Sequence, residues 1–216
     1  MFRACVFDLD GTLVDSLTDL ATSCNHALAH QGLPTHATGE YRRLVGYGVA
    51  KLIEGALPAD CRTPQTIDRT RTLMERHYDV HCLDRTLPYD GIEKLLSELG
   101  DLKRAVVSNK PDPFAKRIVF ALFGNGFDVV MGQRDGVPSK PDPTGPLEAC
   151  SIMGVQPAEC LYLGDSGVDM VTARAAGMFA AGALWGFRSR RELVENGAEA
   201  LVAAPQGLLD VLRTNR

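Results

Sequence analysis

The sequence predicts an α/β fold: a doubly wound, Rossmann-like parallel sheet whose core is interrupted by an inserted all-helical segment. The first observation is the alternation of short apolar runs with helical patterns after residue 87, which is typical of parallel sheets covered by helices. The second is that residues 16–86 show helical patterns only, and the third is an apolar run at residues 4–9 that precedes them. We therefore predict a core of residues 1–15 and 87–216 and a helical cap of residues 16–86.

Each predicted element follows from an apolar pattern and from the residues that bound it. The first strand ends at the Asp10-Gly11 turn, and Ser16 is predicted to cap the helix that follows, which runs to about residue 30. Thr63 and Pro64 form the start of the longest helix, as a cap and a first helical residue. Further helices are predicted at residues 38–44, 49–57, 64–82, 92–99, 113–122, 144–153 and 168–176, and strands at residues 104–108, 127–131, 160–163 and 179–184.

Composition and charge exclude several classes of partner. Lys and Arg together number 23 against 27 Asp and Glu, which gives a formal charge of -4. Nothing in that balance attracts polyanions, so we predict no nucleic-acid partner. The longest uncharged apolar run, residues 178–187, is far short of the roughly 18 residues that span a bilayer, so no membrane partner is expected. The Arg42-Arg43 pair and the arginine patch at residues 188–191 are interpreted as solvated helix faces.

The six cysteines indicate a reducing compartment. They are scattered, no Cys-x-x-Cys pair occurs, and most have apolar neighbours, so we interpret them as reduced core residues. A secretory signal is not expected, because Asp8 and Asp10 would fall inside its apolar stretch. These features predict a cytoplasmic protein, either a monomer or a homodimer.

Polar side chains stand at the predicted carboxyl ends of the core strands, which is the edge of a parallel sheet where ligands bind. Taken singly, each has a bland interpretation, because Asp-x-Asp-Gly-Thr is a common turn and Asp165 and Asp169 are good helix caps. At the ends of neighbouring parallel strands they together favour one functional site. The residues are Asp8, Asp10, Gly11 and Thr12 after the first strand, Ser108, Asn109 and Lys110 after the second, Lys140 before the helix that leads to the fourth, and Asp165, Ser166 and Asp169 after the fourth.

These groups resemble the four ordered motifs of the haloacid dehalogenase superfamily. The matching stretches are residues 7–12, Ser108-Asn109, Lys140-Pro141, and Gly164-Asp165-Ser166 with Asp169. The helical segment is similar to the cap that this superfamily inserts after its first motif, so the resemblance covers essentially the whole chain. Within the superfamily, residues 6–16, 42–50 and 88–91 look most like bacterial phosphoglycolate phosphatases.

The resemblance implies hydrolysis of a phosphate ester, and the residue types fit that chemistry. Asp8 is the implied nucleophile and Asp10 the implied general acid/base, because two carboxylates two residues apart around an Asp-Gly turn can reach one pocket. Lys140 would neutralise both Asp8 and the transferring phosphoryl group. Ser108 and the backbone N–H groups after Asp8 would hold the phosphoryl oxygens.

A divalent cation is implied as well, since an anionic nucleophile must approach an anionic phosphate. The most plausible ion is Mg²⁺, held by Asp8, Asp165 and the backbone carbonyl of Asp10, with Asp169 acting through water or by orienting a ligand. The implied substrate is a small phosphorylated metabolite, 2-phosphoglycolate above all. Gly11 is also expected to permit a positive φ, and Thr12 to support the turn. The candidate substrate-binding residues are Leu9, Gly11, Thr12, Asn109, Arg43 and Tyr47, with Lys51 as a further cation in the cap.

Other activities of the superfamily, and a non-catalytic role, remain alternatives. Dehalogenases lack the second carboxylate, whereas Asp10 is present here, and phosphonate hydrolases need a cap lysine whose context Lys51 does not match. Sugar-phosphate mutases carry a histidine and an arginine where this chain has Leu20 and Val49. Phosphatases with other substrates stay open, as does a catalytically weak phosphate-binding protein, although such a binder would have no need for Asp10.

Two histidine pairs have the i, i+4 spacing of a zinc-binding pair, namely His26 with His30 and His77 with His81. Neither pair has an evident third ligand in the sequence. We interpret both as solvated or packed imidazoles on amphipathic helices.

Overall fold

A six-stranded parallel sheet lies at the centre of the structure, a computed structural model that describes residues 1–214. The strands are β1 (Ala4–Phe7), β2 (Val14–Asp15), β3 (Leu87–Pro88), β4 (Lys103–Pro111), β5 (Val129–Gln133), β6 (Cys160–Gly164), β7 (Phe179–Ala183) and β8 (Ala200–Val202). The sheet has the order β5-β4-β1-β6-β7-β8, and every neighbouring pair in it is parallel. The predicted doubly wound α/β fold is therefore confirmed.

Strand β1 is the central strand and is covered on both faces. Cys5 and Phe7 pack into one apolar cluster, whereas Ala4 and Val6 pack into the other, and all four are fully buried. A strand that buries alternate side chains in two cores must be uniformly apolar, which explains the run that marked it in the sequence. The chain leaves β1 for β4 on one side and returns to β6 on the other. The carboxyl ends of these three strands consequently meet at a switch point of the sheet, where α/β folds bind ligands.

Helices cover both faces of the sheet and fill the insertion. They are α1 (Leu17–Ala29), α2 (Val49–Ala56), α3 (Pro64–His81), α4 (Ile92–Glu98), α5 (Asp112–Phe123), α6 (Thr144–Met153), α7 (Gly167–Ala175), α8 (Arg190–Glu195) and α9 (Gly207–Thr214). Thr63 caps α3 by accepting a hydrogen bond from Thr66 N–H, with Pro64 in the first turn, as predicted. The predicted helix at residues 38–44 is instead a 3₁₀ helix, Thr38–Arg43, which suits a short polar segment that buries only Tyr41.

The insertion joins the core through two crossings of the chain. Strands β2 and β3 pair antiparallel, Val14 with Pro88, next to the boundary proposed between core and cap. The buried carboxylate of Asp19 reinforces the crossing, because it accepts hydrogen bonds from the N–H groups of Arg85 and Thr86 and from the Thr86 hydroxyl. The start of α1 is thereby tied to the returning chain.

Two details differ from the sequence-based expectations. Ser16 occupies the cap position of α1, but its hydroxyl donates to Asp10 and caps nothing, because a buried carboxylate competes for it. Arg188 is not solvated: its side chain is 8% exposed and donates to the backbone carbonyls of Arg42, Arg43 and Val45. Among the described residues, no helix is both long and apolar enough to cross a bilayer.

Candidate active site

Some of the predicted site residues line a small cavity at the carboxyl ends of β1 and β4. Asp8, Asp10, Ser108 and Lys110 line its floor, and the cavity measures about 50 Å³. Its roof comes from residues of the helical insertion. The roof is mostly apolar and includes Leu20, Val45, Val49, Leu52, Met74 and Tyr78.

Three buried carboxylates converge beside this cavity. Asp8, Asp165 and Asp169 each place an oxygen within 4.8 Å of the others, and all three residues are at most 5% exposed. Burial raises the pKa of Asp8 to about 7, and the charge of Asp169 adds to the effect. Burial, followed by the charges of Asp169 and Asp8, also holds the pKa of Asp165 well above its ordinary value. An all-oxygen, mutually repelling donor set of this kind fits a hard divalent cation.

Lys140 is the cation that the protein itself supplies to this cluster. Its Nζ lies 2.8 Å from Asp8 Oδ1 and 2.7 Å from Asp169 Oδ1, and the side chain is 4% exposed. Burial alone would lower the pKa of Lys140, but the carboxylates of Asp169 and Asp8 outweigh it and hold that pKa well above normal. One ammonium cannot balance the charge of three carboxylates, so the ionised cluster keeps negative charge that a further cation could balance.

The three carboxylates of this cluster differ in the hydrogen bonds that they accept. Asp165 accepts hydrogen bonds from Phe187 N–H and the Thr12 hydroxyl. Asp169 accepts two from Ser166, the cap residue of α7, and forms a capping box with it, so a role at the helix start and a place beside Asp8 and Asp165 are compatible. Asp8, by contrast, accepts no hydrogen bond from residues 1–214, and its Oδ1 is buried with only the Lys140 ion pair. Its lone pairs are therefore available to a cation or a substrate.

Asp10 lies outside the three-carboxylate cluster and has a cation of its own. Lys110 Nζ lies 2.9 and 3.0 Å from the two carboxylate oxygens, and Ser16 donates a further hydrogen bond. The ammonium also lies 4.8 Å from the ring centroid of Tyr78. The sequence placed Lys110 at a strand end but gave it no role. Its position directly after Ser108-Asn109 was the available signal.

Comparison with known proteins places this geometry in a family. The haloacid dehalogenase-like hydrolase family model matches residues 2–177. An N-acetylmuramic acid 6-phosphate phosphatase of Pseudomonas aeruginosa is 32% identical, covering 97% of this chain and 94% of its own. A phosphoglycolate phosphatase of Aquifex aeolicus is 34% identical over 86% of both chains. A crystal structure of a candidate phosphoglycolate phosphatase from Lactobacillus delbrueckii subsp. bulgaricus superposes with a TM-score of 0.90, at 30% identity and 98% coverage of both chains.

The chain belongs to the haloacid dehalogenase-like hydrolases. Its named relatives act on phosphate esters, and the chain is a phosphatase. The resemblance that the motifs suggested is thereby confirmed.

In this phosphatase the turn after β1 requires glycine at position 11. Gly11 has φ +87°, as expected, and a Cβ there would come within 2.4 Å of Asp165 Oδ2. The side chain of Leu9 is fully buried, so only its backbone can face a ligand. The carbonyl of Thr12 accepts a hydrogen bond from the Trp185 indole, which ties the turn to the end of β7.

Asn109 connects the cap loop to the loop that carries Lys140. Its amide donates to the carbonyls of Gly46 and Lys140 and accepts from Lys140 N–H. Both amide hydrogens and the amide oxygen of Asn109 form hydrogen bonds within the protein, so the side chain serves to hold these two loops together. The arrangement positions the Lys140 ammonium over Asp8.

Arg43 and Tyr47, the predicted substrate residues of the cap, do not line this cavity. They border a separate surface depression together with Phe187 and Arg188. The Arg43 side chain is 75% exposed and pairs with Glu40, and Tyr47 is 49% exposed. The physical reason is that Arg188 donates hydrogen bonds to the loop carbonyls of Arg43 and Val45, a long-range contact with no local signal in the sequence. Lys51 is also outside, exposed and paired with Glu54.

Proposed function

We propose that the protein is a Mg²⁺-dependent phosphomonoester hydrolase that works through an aspartyl-phosphate on Asp8 and acts on small monophosphates bearing a carboxylate. The observation that carries the proposal is the state of Asp8. It is a buried carboxylate that faces the cavity, lies 2.8 Å from Lys140 Nζ, and accepts no hydrogen bond from the described part of the chain. A carboxylate held in this way is prepared to attack phosphorus.

The residues that would hold Mg²⁺ are Asp8, Asp165 and the backbone carbonyl of Asp10, with Asp169 orienting them. Their oxygens suit a hard ion, and three buried carboxylates that share one ammonium leave negative charge that a divalent cation would balance. When bound, the ion neutralises negative charge on the phosphoryl group and lets an anionic nucleophile approach it.

The remaining chemistry belongs to the side chains around the cavity. Asp8 Oδ forms a bond to phosphorus while the bond to the leaving oxygen breaks, and Asp10 donates its proton to that oxygen. Asp10 then takes a proton from the water that attacks the phosphorus of the aspartyl-phosphate, which releases phosphate and restores Asp8. The Ser108 hydroxyl and the N–H groups of Leu9 and Asp10 hold the phosphoryl oxygens, while Lys140 balances their charge.

Water is the expected acceptor because the residues at the two mutase positions cannot serve a second phosphoryl transfer. Leu20 and Val49, at the positions where mutases have histidine and arginine, both line the roof. An apolar Leu20 cannot relay a proton, and Val49 cannot hold a phosphate. Hydrolysis is therefore favoured over phosphoryl transfer to a sugar.

The substrate class is inferred from the size of the cavity and from the one basic side chain that its described lining sets against the acidic side chains of Asp8, Asp10 and Glu75. A volume of about 50 Å³ suits a compact leaving group. Lys110 is the one basic residue among the described residues that line it, and it is positioned to bind a carboxylate on the leaving group as well as Asp10. The named relatives act on phosphoglycolate or on N-acetylmuramic acid 6-phosphate, and both compounds are phosphate esters of carboxylic acids. A small metabolite of this kind is consistent with a cytoplasmic enzyme.

We expect 2-phosphoglycolate to be hydrolysed with a higher kcat/KM than a hexose phosphate, a nucleotide or N-acetylmuramic acid 6-phosphate. Lys110→Met should reduce kcat/KM for 2-phosphoglycolate at least about tenfold more than for an aryl phosphate, because only the former presents a carboxylate to the lysine; tenfold corresponds to about 1.4 kcal/mol of transition-state preference. Steady-state kinetics on the wild type and the variant measure both ratios.

Lys116→Met is the matched control, since that lysine lies on α5, is exposed and pairs only with Asp112. Arg43→Ala tests the cap residue that the sequence proposed. If the hexose phosphate or nucleotide is preferred tenfold or more, the assignment to carboxylate-bearing substrates fails. Preference for the muramic acid ester would keep the class but replace its first member.

Mg²⁺ should stabilise the protein more at about pH 8 than at about pH 5.5. The folded state raises the pKa of Asp8 from 3.8 to about 7, so in cation-free protein the ionisation of Asp8 costs stability progressively as the pH rises through that window. Asp165 shifts in the same direction. A bound cation offsets this cost where the carboxylates are ionised. Thermal melting with Mg²⁺ or with a chelator at both pH values measures the effect. An equal increase in melting temperature at the two pH values would contradict this prediction, and full activity after exhaustive chelation would contradict the dependence on Mg²⁺.

A further inference from the structure

The chain segment that follows β7 and ends at Arg188 is fixed to the core at two points. The indole N–H of Trp185 donates to the carbonyl of Thr12 at 2.9 Å, and the backbone N–H of Phe187 donates to Asp165 Oδ2 at 2.7 Å. Both contacts lie at the carboxyl end of the sheet, beside the candidate active site. The side chain of Arg188 therefore starts from a backbone that is held against this site.

From this position the guanidinium of Arg188 reaches the cap loop, which connects the 3₁₀ helix to α2. It donates hydrogen bonds to the carbonyl of Arg42, to that of Arg43 at 3.1 Å and to that of Val45 at 2.8 Å. The first two carbonyls belong to the last residues of the 3₁₀ helix, where a helix leaves carbonyls without an N–H partner of its own. Arg188 Nε lies 3.4 Å from Glu192 Oε1, and the side chain is 8% exposed. Arginine can bind several carbonyls at once because its five N–H donors form a rigid planar group.

The cap loop lines the cavity through Gly46 and Gly48. Both have positive φ, +112° and +86°, and a glycine has no side chain with which to hold a loop in place. Asn109 donates to the carbonyl of Gly46 from the side of the core, and Arg188 Cζ lies 5.9 Å from the ring centroid of Tyr47. The position of the loop therefore depends on side chains from other parts of the chain, and Arg188 contacts it at several points.

We propose that Arg188 is a positioning residue, which holds the cap loop against the cavity so that Gly46 and Gly48 enclose the leaving group. Arg188 is absent from the described lining of that cavity, so it acts through the loop. Closure of a loop over a bound substrate adds contacts with it and excludes water, so loss of this anchor should weaken substrate binding more than it slows the chemical step. The proposal rests on the proposed function only in placing hydrolysis at this cavity, and on no particular ester.

Arg188→Met is the first test, because methionine fills similar space but donates no hydrogen bond. We expect the amide hydrogens of Leu44 and Val45, which bond to the carbonyl of Tyr41, to exchange at least about tenfold faster than in the wild type, while those of β4 are unchanged. With an aryl phosphate as the substrate, KM should rise at least about fivefold, with a smaller change in kcat.

Arg191→Met is the matched control, since Arg191 lies three residues further along on α8, is 85% exposed and pairs with Glu195. Its amide exchange and its KM should equal those of the wild type. Arg188→Lys retains the positive charge but cannot reach the three carbonyls together, so it should resemble Arg188→Met. Wild-type amide exchange and KM in a folded Arg188→Met or Arg188→Lys variant would overturn the proposal.

NMR of the wild-type guanidinium groups provides a further readout that needs no variant. The hydrogen bonds of Arg188 should slow the rotation of its guanidinium and the exchange of its N–H protons, relative to those of Arg191. Equal rotation of the two groups would overturn the proposal. Turnover without Mg²⁺, or preference for another ester, would instead count against the proposed function alone, because amide exchange and guanidinium rotation are measured without turnover.

Discussion

Replacing Asp8 by Asn is expected to reduce kcat for every phosphate ester by about 10⁴-fold or more, because an amide oxygen is a poor nucleophile toward phosphorus. The fold should survive. Burial and Asp169 raise the pKa of Asp8, which means that its charge is unfavourable in the cation-free folded state. Removing the charge should leave the free energy of unfolding unchanged or raise it. Single-turnover kinetics and urea unfolding of the same preparation measure the two effects.

The combination of these results is the informative one. An inactive protein with undiminished stability assigns Asp8 to the chemistry and excludes a general loss of folding. Near-wild-type turnover by a preparation free of contaminating phosphatase would show that the covalent mechanism is wrong. Asp19→Asn is a useful comparison, since Asp19 is also a buried carboxylate but serves the crossing between core and cap.

Replacing Lys140 by Met should abolish activity and also lower stability by about 3–5 kcal/mol, the usual effect of leaving a buried charge without its partner. The ammonium is the protein's only ion-pair partner within 4 Å for Asp8 and Asp169 among the described residues. Methionine fills similar space but leaves both carboxylates uncompensated. Chemical denaturation of the chelated protein measures the stability, and Lys116→Met again serves as the surface control.

Mg²⁺ should restore part of the lost stability of Lys140→Met without restoring turnover. The added cation compensates the carboxylates, but it does not replace the ammonium that balances the transferring phosphoryl group. A variant that retains wild-type stability under chelation would contradict the electrostatic account of the site.

The fold could be predicted because its strongest signals are local. Strand β1 must be apolar on both faces, and the alternation of buried strands with helices specifies a parallel sheet. Three shorter strands were not predicted. Strands β2 and β3 have two residues each and β8 has three, which is too few for the alternation of apolar and polar residues to be recognised. The last two helices, α8 and α9, follow the last segment to which the sequence patterns assigned an element.

The site was predictable to the extent that it depends on strand ends. The topology of the sheet brings the segments of Asp8, Ser108 and Asp165 together, as expected for residues at the carboxyl ends of adjacent parallel strands. The pairing of Lys110 with Asp10 was not predictable in the same way, because it joins residues 100 positions apart with no periodic signal. Ser16 shows a related ambiguity, since a serine before a helix can cap it or can serve a nearby carboxylate.

The cap loop places two predicted residues outside the cavity for a definite physical reason. Arg43 and Tyr47 are the residues of the helical insertion among the predicted substrate-binding residues. The loop does approach the cavity, since Gly46 and Gly48 line it. The side chains of Arg43 and Tyr47 lie elsewhere because Arg188, more than 140 residues away in the chain, holds the loop by its carbonyls. Only the tertiary structure contains that information.

The role of Asp8 as the nucleophile is tested most directly by identifying the residue that is phosphorylated during turnover. Wild-type enzyme mixed with substrate and Mg²⁺ is quenched in acid during turnover, digested, and analysed by mass spectrometry. An aspartyl-phosphate mechanism predicts one phosphoryl group on the peptide that contains Asp8, located on Asp8 itself and absent from Asp8→Asn. A phosphoryl group on another residue, or turnover in which no phosphorylated protein can be trapped and rapid-quench kinetics show no burst, would contradict it.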